Sequence, residues 1–209
     1  MGATDLVARR GLAVVIGAAL VAGCDGGDGD TVVALAPALD GPNATFGQIR
    51  NDFADKFALH ADPFPSTDIS EMPVFGSATY AGSAVHSNLT TDPVAVRASP
   101  TRASRGELTA DFTAAEVTGR LYNFRSADPA TVISGELPLN GIISANRFAG
   151  GAFVAPGGVR GILVTNGVAA GHSGAFSGRF AGSDYRAVEG LVAHSTPATT
   201  YAGVFVGAR

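Results

Sequence analysis

Across 209 residues the side chains able to do chemistry are sparse: four histidines, a single cysteine and 18 carboxylates scattered along the chain. His60, His86, His172 and His194 include no pair at i, i+4, so no metal site is written locally, and only a meeting in space would bring two imidazoles together. Each histidine is expected on the surface or in a turn. His172 and Ser173 are adjacent, but neighbours in a strand point to opposite faces and no G-x-S-x-G turn surrounds them, so they do not make a nucleophile pair. Asp111 and Glu116 flank a short turn, where solvation and bonding to the turn backbone account for them. There is neither a phosphate-binding loop nor a dinucleotide fingerprint. The chain is therefore not expected to be an enzyme or to carry a resident cofactor. A net charge of −4 without any lysine or arginine cluster excludes nucleic acid as a partner, because phosphate binding needs a basic stripe.

The lone cysteine has a different meaning. Arg9 and Arg10 precede an apolar run from Gly11 to Gly23, too short to span a membrane as a helix but suited to the core of a signal peptide. It ends in Val21-Ala22-Gly23-Cys24, which resembles the bacterial lipobox and implies cleavage before Cys24 and lipidation of its thiol. Residues 1–23 are expected to be a lipoprotein signal peptide, and 24–45 the lipid anchor with a flexible linker that includes the acidic run Asp25 to Asp30. Asp25, directly after the cysteine, resembles an inner-membrane retention signal of enteric bacteria.

The scaffold that follows is organised around Gly171 to Gly182. Gly174, Phe176, Gly178, Phe180 and Gly182 fall on every second residue, so an extended strand presents all five on one face. Phenylalanine interleaved with glycine suits the close backbone approach of a small, packed, closed sheet. Upstream, Thr45 and Gln48 match a capping box, and Phe46, Ile49, Phe53 and Phe57 recur at helical spacing; a helix from about Phe46 to Leu59 is expected over one end of the barrel. Residues 46–72 thus hold one short helix and a connector containing Pro63 and Pro65. From Val74 onward strands and turns alternate: Val74–Ser87, Val94–Ala98, Gly106–Thr113, Val117–Arg125, Val132–Pro138, Gly141–Ser144, Arg147–Ala155, Val159–Thr165, the Gly171–Gly182 strand, Tyr185–His194 and Tyr201–Ala208. The expected fold is all-β: an antiparallel barrel of about eight strands with a filled interior, its last strand pairing with its first so that no apolar edge is left open.

Three stretches, Pro73–Ala84 (PVFGSATYAGSA), Ala110–Phe124 (ADFTAAEVTGRLYNF) and Gly174–Gly190, together with the terminal Gly203–Gly207, resemble the C-terminal barrel of the transferrin-binding protein B family of bacterial surface lipoproteins. The likeness covers residues 73–209. It departs from the family at Ser183-Asp184-Tyr185, where Pro-Asn-Ala is usual, and at Val192, where an aromatic is usual. The resemblance implies a binding role in iron or haem acquisition, with the membrane reached through the lipid anchor at the outer membrane, facing the cell surface. The implied partner is a host or environmental iron or haem protein, or an outer-membrane receptor; haem itself is the small ligand it would admit. Candidate contact residues are Arg97, Arg102 and Arg105 in the Ser87–Arg105 segment, Arg125, His172 and His194. Two other functions fit such a chain: a lipocalin-like carrier of a small apolar ligand in the barrel interior, and a structural lipoprotein of the envelope.

Overall fold

The computed structural model describes residues 44–61, 66–151 and 157–209; the signal sequence, Cys24, the acidic tether, Pro63 and Pro65 lie outside them. Helix α1 (Phe46–Lys56) begins where the capping box places it, with Thr45 Oγ1 accepting from the Gln48 amide and the Gln48 side chain accepting from the Thr45 amide at 2.8 Å. It continues into one wider turn, Phe57–Ala61. The strands are β1 (Ser77–Ser87), β2 (Arg102–Asp111), β3 (Glu116–Ser126), β4 (Ile133–Ser144), β5 (Arg147–Gly150), β6 (Gly158–Thr165), β7 (Val168–Ala181), β8 (Ala187–Ser195) and β9 (Thr200–Ala208). All pair antiparallel, and β9 closes the ring against β1, with Ala84 opposite Phe205 and Gly82 opposite Gly207.

Among the described residues, nine strands occupy eight places. β4 and β7 are bridged by β5 over one half of their length and by β6 over the other, so these two short strands share one position in the wall. The segment expected as two strands, Val132–Pro138 and Gly141–Ser144, is instead the continuous β4. The segment expected as strand Val94–Ala98 is a helix, α2 (Pro93–Ala98). Its local chemistry explains the difference: Pro93 sits at the first helical position and the Asp92 carboxylate accepts from the Val94 and Ala95 amides, which is helix-start chemistry that apolar alternation alone does not reveal.

The interior is filled. On β7 the inward residues are His172, Gly174, Phe176, Gly178 and Phe180, the parity read from the sequence. Phe148 lies at the centre of the packing, its ring 5.3 Å from Phe180, 6.2 Å from Phe176 and 6.0 Å from Phe205. A side chain at Gly178 would meet the Phe148 ring at 2.5 Å, so the glycine leaves the space that the phenylalanine of a neighbouring strand occupies. Around Tyr80, Leu121, Leu139 and Phe205 the packing leaves a gap of about 20 Å³, room for a single water.

Helix α1 does not cover an end of the barrel, as the sequence suggested; it lies against the outer wall of β1, β2 and β9. The wall there is apolar on both sides. Val85, Ala103, Val204 and Val206 face outward and bury Ile49 and Phe53 of α1 and Val96 of α2, making a second, smaller core. Replacing Gly178 with valine forces the added methyls into the Phe148 ring and is expected to destabilise the fold by about 3 kcal/mol, as overpacking does; urea unfolding that gives an unchanged midpoint contradicts the interlock.

Candidate functional site

One end of the barrel interior is polar. There the inward parity of each strand, apolar elsewhere, delivers His86 from β1, Arg102 and Ser104 from β2, His172 from β7, His194 from β8 and Tyr201 from β9. A β-bulge completes the arrangement. Asn123 adopts a left-handed backbone (φ 53°), the pairing shifts between Ala103 and Arg105, and the parity of β3 changes so that Phe124 points inward and Arg125 outward. The Phe124 ring then lies 5.5 Å from His86.

The three imidazoles form a contiguous group. His172 Nδ1 and His194 Nδ1 share a hydrogen bond of 2.9 Å, the His194 ring stacks on Tyr201, and His86 meets His194 edge-on at 5.5 Å. His86 Nε2 bonds Ser104 Oγ at 3.0 Å, while His86 Nδ1 and His194 Nε2 are buried without a partner among the described residues. Gly203 makes this possible: a side chain there would meet His86 Nδ1 at 2.5 Å. The guanidinium of Arg102 lies 4.3 Å from the centre of the Tyr201 ring. Burial first, and the nearby positive charge of Arg102 second, push His86 down to about 3. Burial again leads for His194, joined by its two histidine neighbours and Arg102, and pushes it down to about 2; His172 is lowered by burial and then by Arg102. All three are therefore neutral near pH 7. Among the described residues, no three His, Cys, Asp or Glu side chains stand close enough to hold a metal ion.

These positions correct the expectation of surface or turn histidines. His86, His172 and His194 are 0, 6 and 1 % exposed, enclosed by the barrel rather than displayed on loops, so they do not offer imidazole nitrogens to a haem at the surface. Each shares the parity of inward residues in its own strand, and that is the signal that would have placed them inside.

The arginines divide as well. Arg105 is buried on the outer face of β2, where its guanidinium binds Asp52 of α1 at 2.6 Å and Ser83 Oγ at 2.9 Å. Arg125 is committed to the α1 terminus, donating to the carbonyl oxygens of Ala44 and Phe124. Both were expected on contact loops; both instead fasten the helix to the wall. Arg102 caps the polar end from inside. Arg97 alone of the arginines named from sequence reaches a surface cleft: from α2 it covers the Phe57 ring at 4.2 Å and rims a groove of about 670 Å³. The floor of this groove is the outer barrel wall, with Ile142 and Leu191 40 and 46 % exposed, and Arg147 and the Arg179–Glu189 ion pair stand along it. An adjoining hollow of about 360 Å³ continues it past Pro93 toward Thr200. Asp111 and Glu116 do as the sequence suggested, Asp111 Oδ1 accepting from the Thr113 and Ala114 amides of the turn.

Among the described residues the barrel interior is filled by side chains, and the largest groove described lies on the outer wall. Residues 72–209 match the family described as the C-lobe and N-lobe beta barrels of Tf-binding protein B, and the chain belongs to that family, whose members are binding proteins and not enzymes. Among solved structures it is similar to intact Ap-TbpB with both lobes (19 % identity over 68 % of this chain and 28 % of that one, TM-score 0.43). It is also similar to isotype 1 transferrin binding protein B from Neisseria meningitidis (17 %, 69 % and 28 %, TM-score 0.42) and to the N-lobe of lactoferrin binding protein B from Moraxella bovis (18 %, 66 % and 60 %, TM-score 0.33). The chain spans little more than a quarter of the length of the intact transferrin-binding proteins it matches. No curated protein sequence matches it.

Burial works against the Asp52 carboxylate, but its bonds to Lys56 and Ser83 and the charges of Lys56 and Arg105 outweigh that and hold it below the usual carboxylate range. The stability it confers is thus present above the ordinary value of 3.8 and lost as pH falls through the lower folded value. Replacing Asp52 with alanine removes a carboxylate held 2.6 Å from the buried Arg105 guanidinium and is expected to cost about 3 kcal/mol at pH 7. Thermal unfolding between pH 7 and pH 2 checks both statements: the variant starts lower and loses less on acidification.

Proposed function

We propose that the chain is a lipid-anchored binding protein of the bacterial cell envelope, carried at the outer membrane by Cys24, that recognises an iron- or haem-bearing protein. Membership of the transferrin-binding protein B barrel family supports a binding role, and the lipobox-like Val21-Ala22-Gly23-Cys24 supports the anchor. The observation that carries the mode of binding is the contrast between the two sides of the barrel wall. Among the described residues the gap beside Tyr80, Leu121 and Phe205 holds about one water, which favours a filled barrel over a carrier of an apolar molecule; outside, an apolar groove is edged by Arg97 and Arg147.

The groove suits one kind of occupant. Its floor would take aliphatic or aromatic side chains of a partner segment, and its arginine edges would pair with carboxylates on the same segment. Aromatic anchors in such clefts supply most of the affinity, while rim charges set orientation and association rate.

The test is biolayer interferometry of the anchor-free chain against a panel of iron-loaded vertebrate transferrins, with haemin read in parallel by its Soret band. Saturable binding of a transferrin is expected, weakened at least tenfold in the Arg97→Glu/Arg147→Glu variant at unchanged melting temperature. Absence of saturable transferrin binding contradicts the iron-protein partner, and binding indifferent to the charge reversal contradicts the groove.

A further inference from the structure

Three imidazoles packed into one end of an otherwise aromatic and aliphatic core need an account that the binding role does not supply. Apolar side chains of similar volume would fill the same space without loss of hydration, whereas here two ring nitrogens are left without partners. The hydrogen-bond arithmetic is restrictive. Of the Nδ1 atoms of His172 and His194 one must donate and one accept. If His194 donates, its buried Nε2 is a bare lone pair; if it accepts, that Nε2 carries a buried N–H with no acceptor, which costs more. By the same reasoning His86 donates from Nε2 to Ser104 Oγ and keeps Nδ1 bare against Gly203. The neutral group is consistent in this one arrangement, and a proton added to either bare nitrogen creates a buried charged donor with nothing to receive it.

Among the described residues no group of opposite charge acts on it. His86 faces Arg102 and Ser104 from β2, Phe124 from β3, His194 from β8 and Gly203 from β9. His172 and His194 face each other, Tyr201 and Arg102. Arg102 is the charged side chain acting on the group, and it is of the same sign; no described carboxylate does so.

We propose that His86, His172 and His194 form an acid-sensitive latch, which takes up protons in mild acid and opens the end of the barrel that carries the connection from Ser87 to Arg102 and, within it, α2. Each histidine is held below the ordinary 6.5 in the folded chain. Below that pH the unfolded or opened state therefore binds protons that the closed state does not, so stability is lost as pH falls, and the loss is absent above about pH 7. Because α2 carries Arg97 and Pro93 along the outer groove, opening this end would also disturb the groove. That consequence rests on the docking role proposed above; the latch itself does not.

Urea unfolding of the full-length chain at pH 7.5 and 5.5 tests it, a window above the range where carboxylates titrate. His60 is also lowered, by burial and then by Lys56, so the comparison is made in a His60→Gln background. His86 and His194 are each expected to raise the unfolding constant about tenfold across the window, giving at least a hundredfold for the group with His172. The additional change His86→Gln/His194→Gln should reduce this by about a hundredfold. A rise of tenfold or less in the background, or the same rise in the additional variant, overturns the latch. Hydrogen exchange of the unaltered chain, corrected for intrinsic rates, decides the matter should that variant fail to fold. Loss of protection at pH 5.5 concentrated in residues 84–88, 101–105 and 192–204 is expected, and uniform or absent loss overturns the proposal.

Discussion

The interlock of glycine with phenylalanine across neighbouring strands is the constraint on which the rest of the structure depends. A barrel this small closes only if the backbones of its walls approach while large rings fill the centre, and a side chain on every inward position would prevent both. The glycines at 178, 190 and 203 remove side chains where Phe148, Phe205 and His86 respectively need space. Closure follows from this filling, since β9 meets β1 along Ala81–Ser87 and leaves no open edge. The small size of the gap left around Tyr80, Leu121, Leu139 and Phe205 follows as well.

Once the interior is full, the chain places its remaining apolar surface outside. Val85, Val204 and Val206 turn away from the barrel centre and would expose a greasy wall were α1 and α2 not laid over them. That second layer uses up the charged groups that a reader would assign to recognition. Arg105, bonded to Asp52 and Ser83, and Arg125, bonded to the Ala44 carbonyl, hold the helical collar in place. The collar in turn frames the outer groove, so this cleft is a product of packing the helices rather than of the loops between strands.

The sequence made the barrel legible because period-two alternation of glycine and aromatic residues is a strong signal, and β7 keeps it over its whole inward face. The capping box likewise located α1 to within a residue at its start. What escaped was non-local. Whether α1 sits over the barrel mouth or on its wall depends on which strands carry apolar residues outward, a property visible only once inward parity is fixed for every strand. The single place taken by β5 and β6 depends on the shared partners β4 and β7. The bulge at Asn123 reverses the parity of the end of β3, and no alternation rule crosses it. Short α2 reads as a strand in the sequence because Val94 and Val96 alternate, although Asp92-Pro93 just before them is helix-start chemistry. The candidate site was legible in residue types but not in place: three of the four histidines expected at the surface form the polar end of the core, and of the four arginines named as contacts only Arg97 stands at the outer groove.

A histidine plug inside the barrel and an arginine-edged groove outside both presuppose that the wall is continuous between the first and last strands. The direct test is a cross-link over that seam. Ala81 of β1 and Ala208 of β9 are directly opposed, and opposed residues in antiparallel pairs have Cα atoms about 4.5–5.5 Å apart, within reach of a disulfide. In a Cys24→Ser background, Ala81→Cys/Ala208→Cys should form an intramolecular disulfide in full under mild oxidation, without loss of β-sheet signal in circular dichroism. Persistence of two free thiols in the folded chain, read by mass spectrometry after alkylation, would show that the seam is open and contradict the closed barrel.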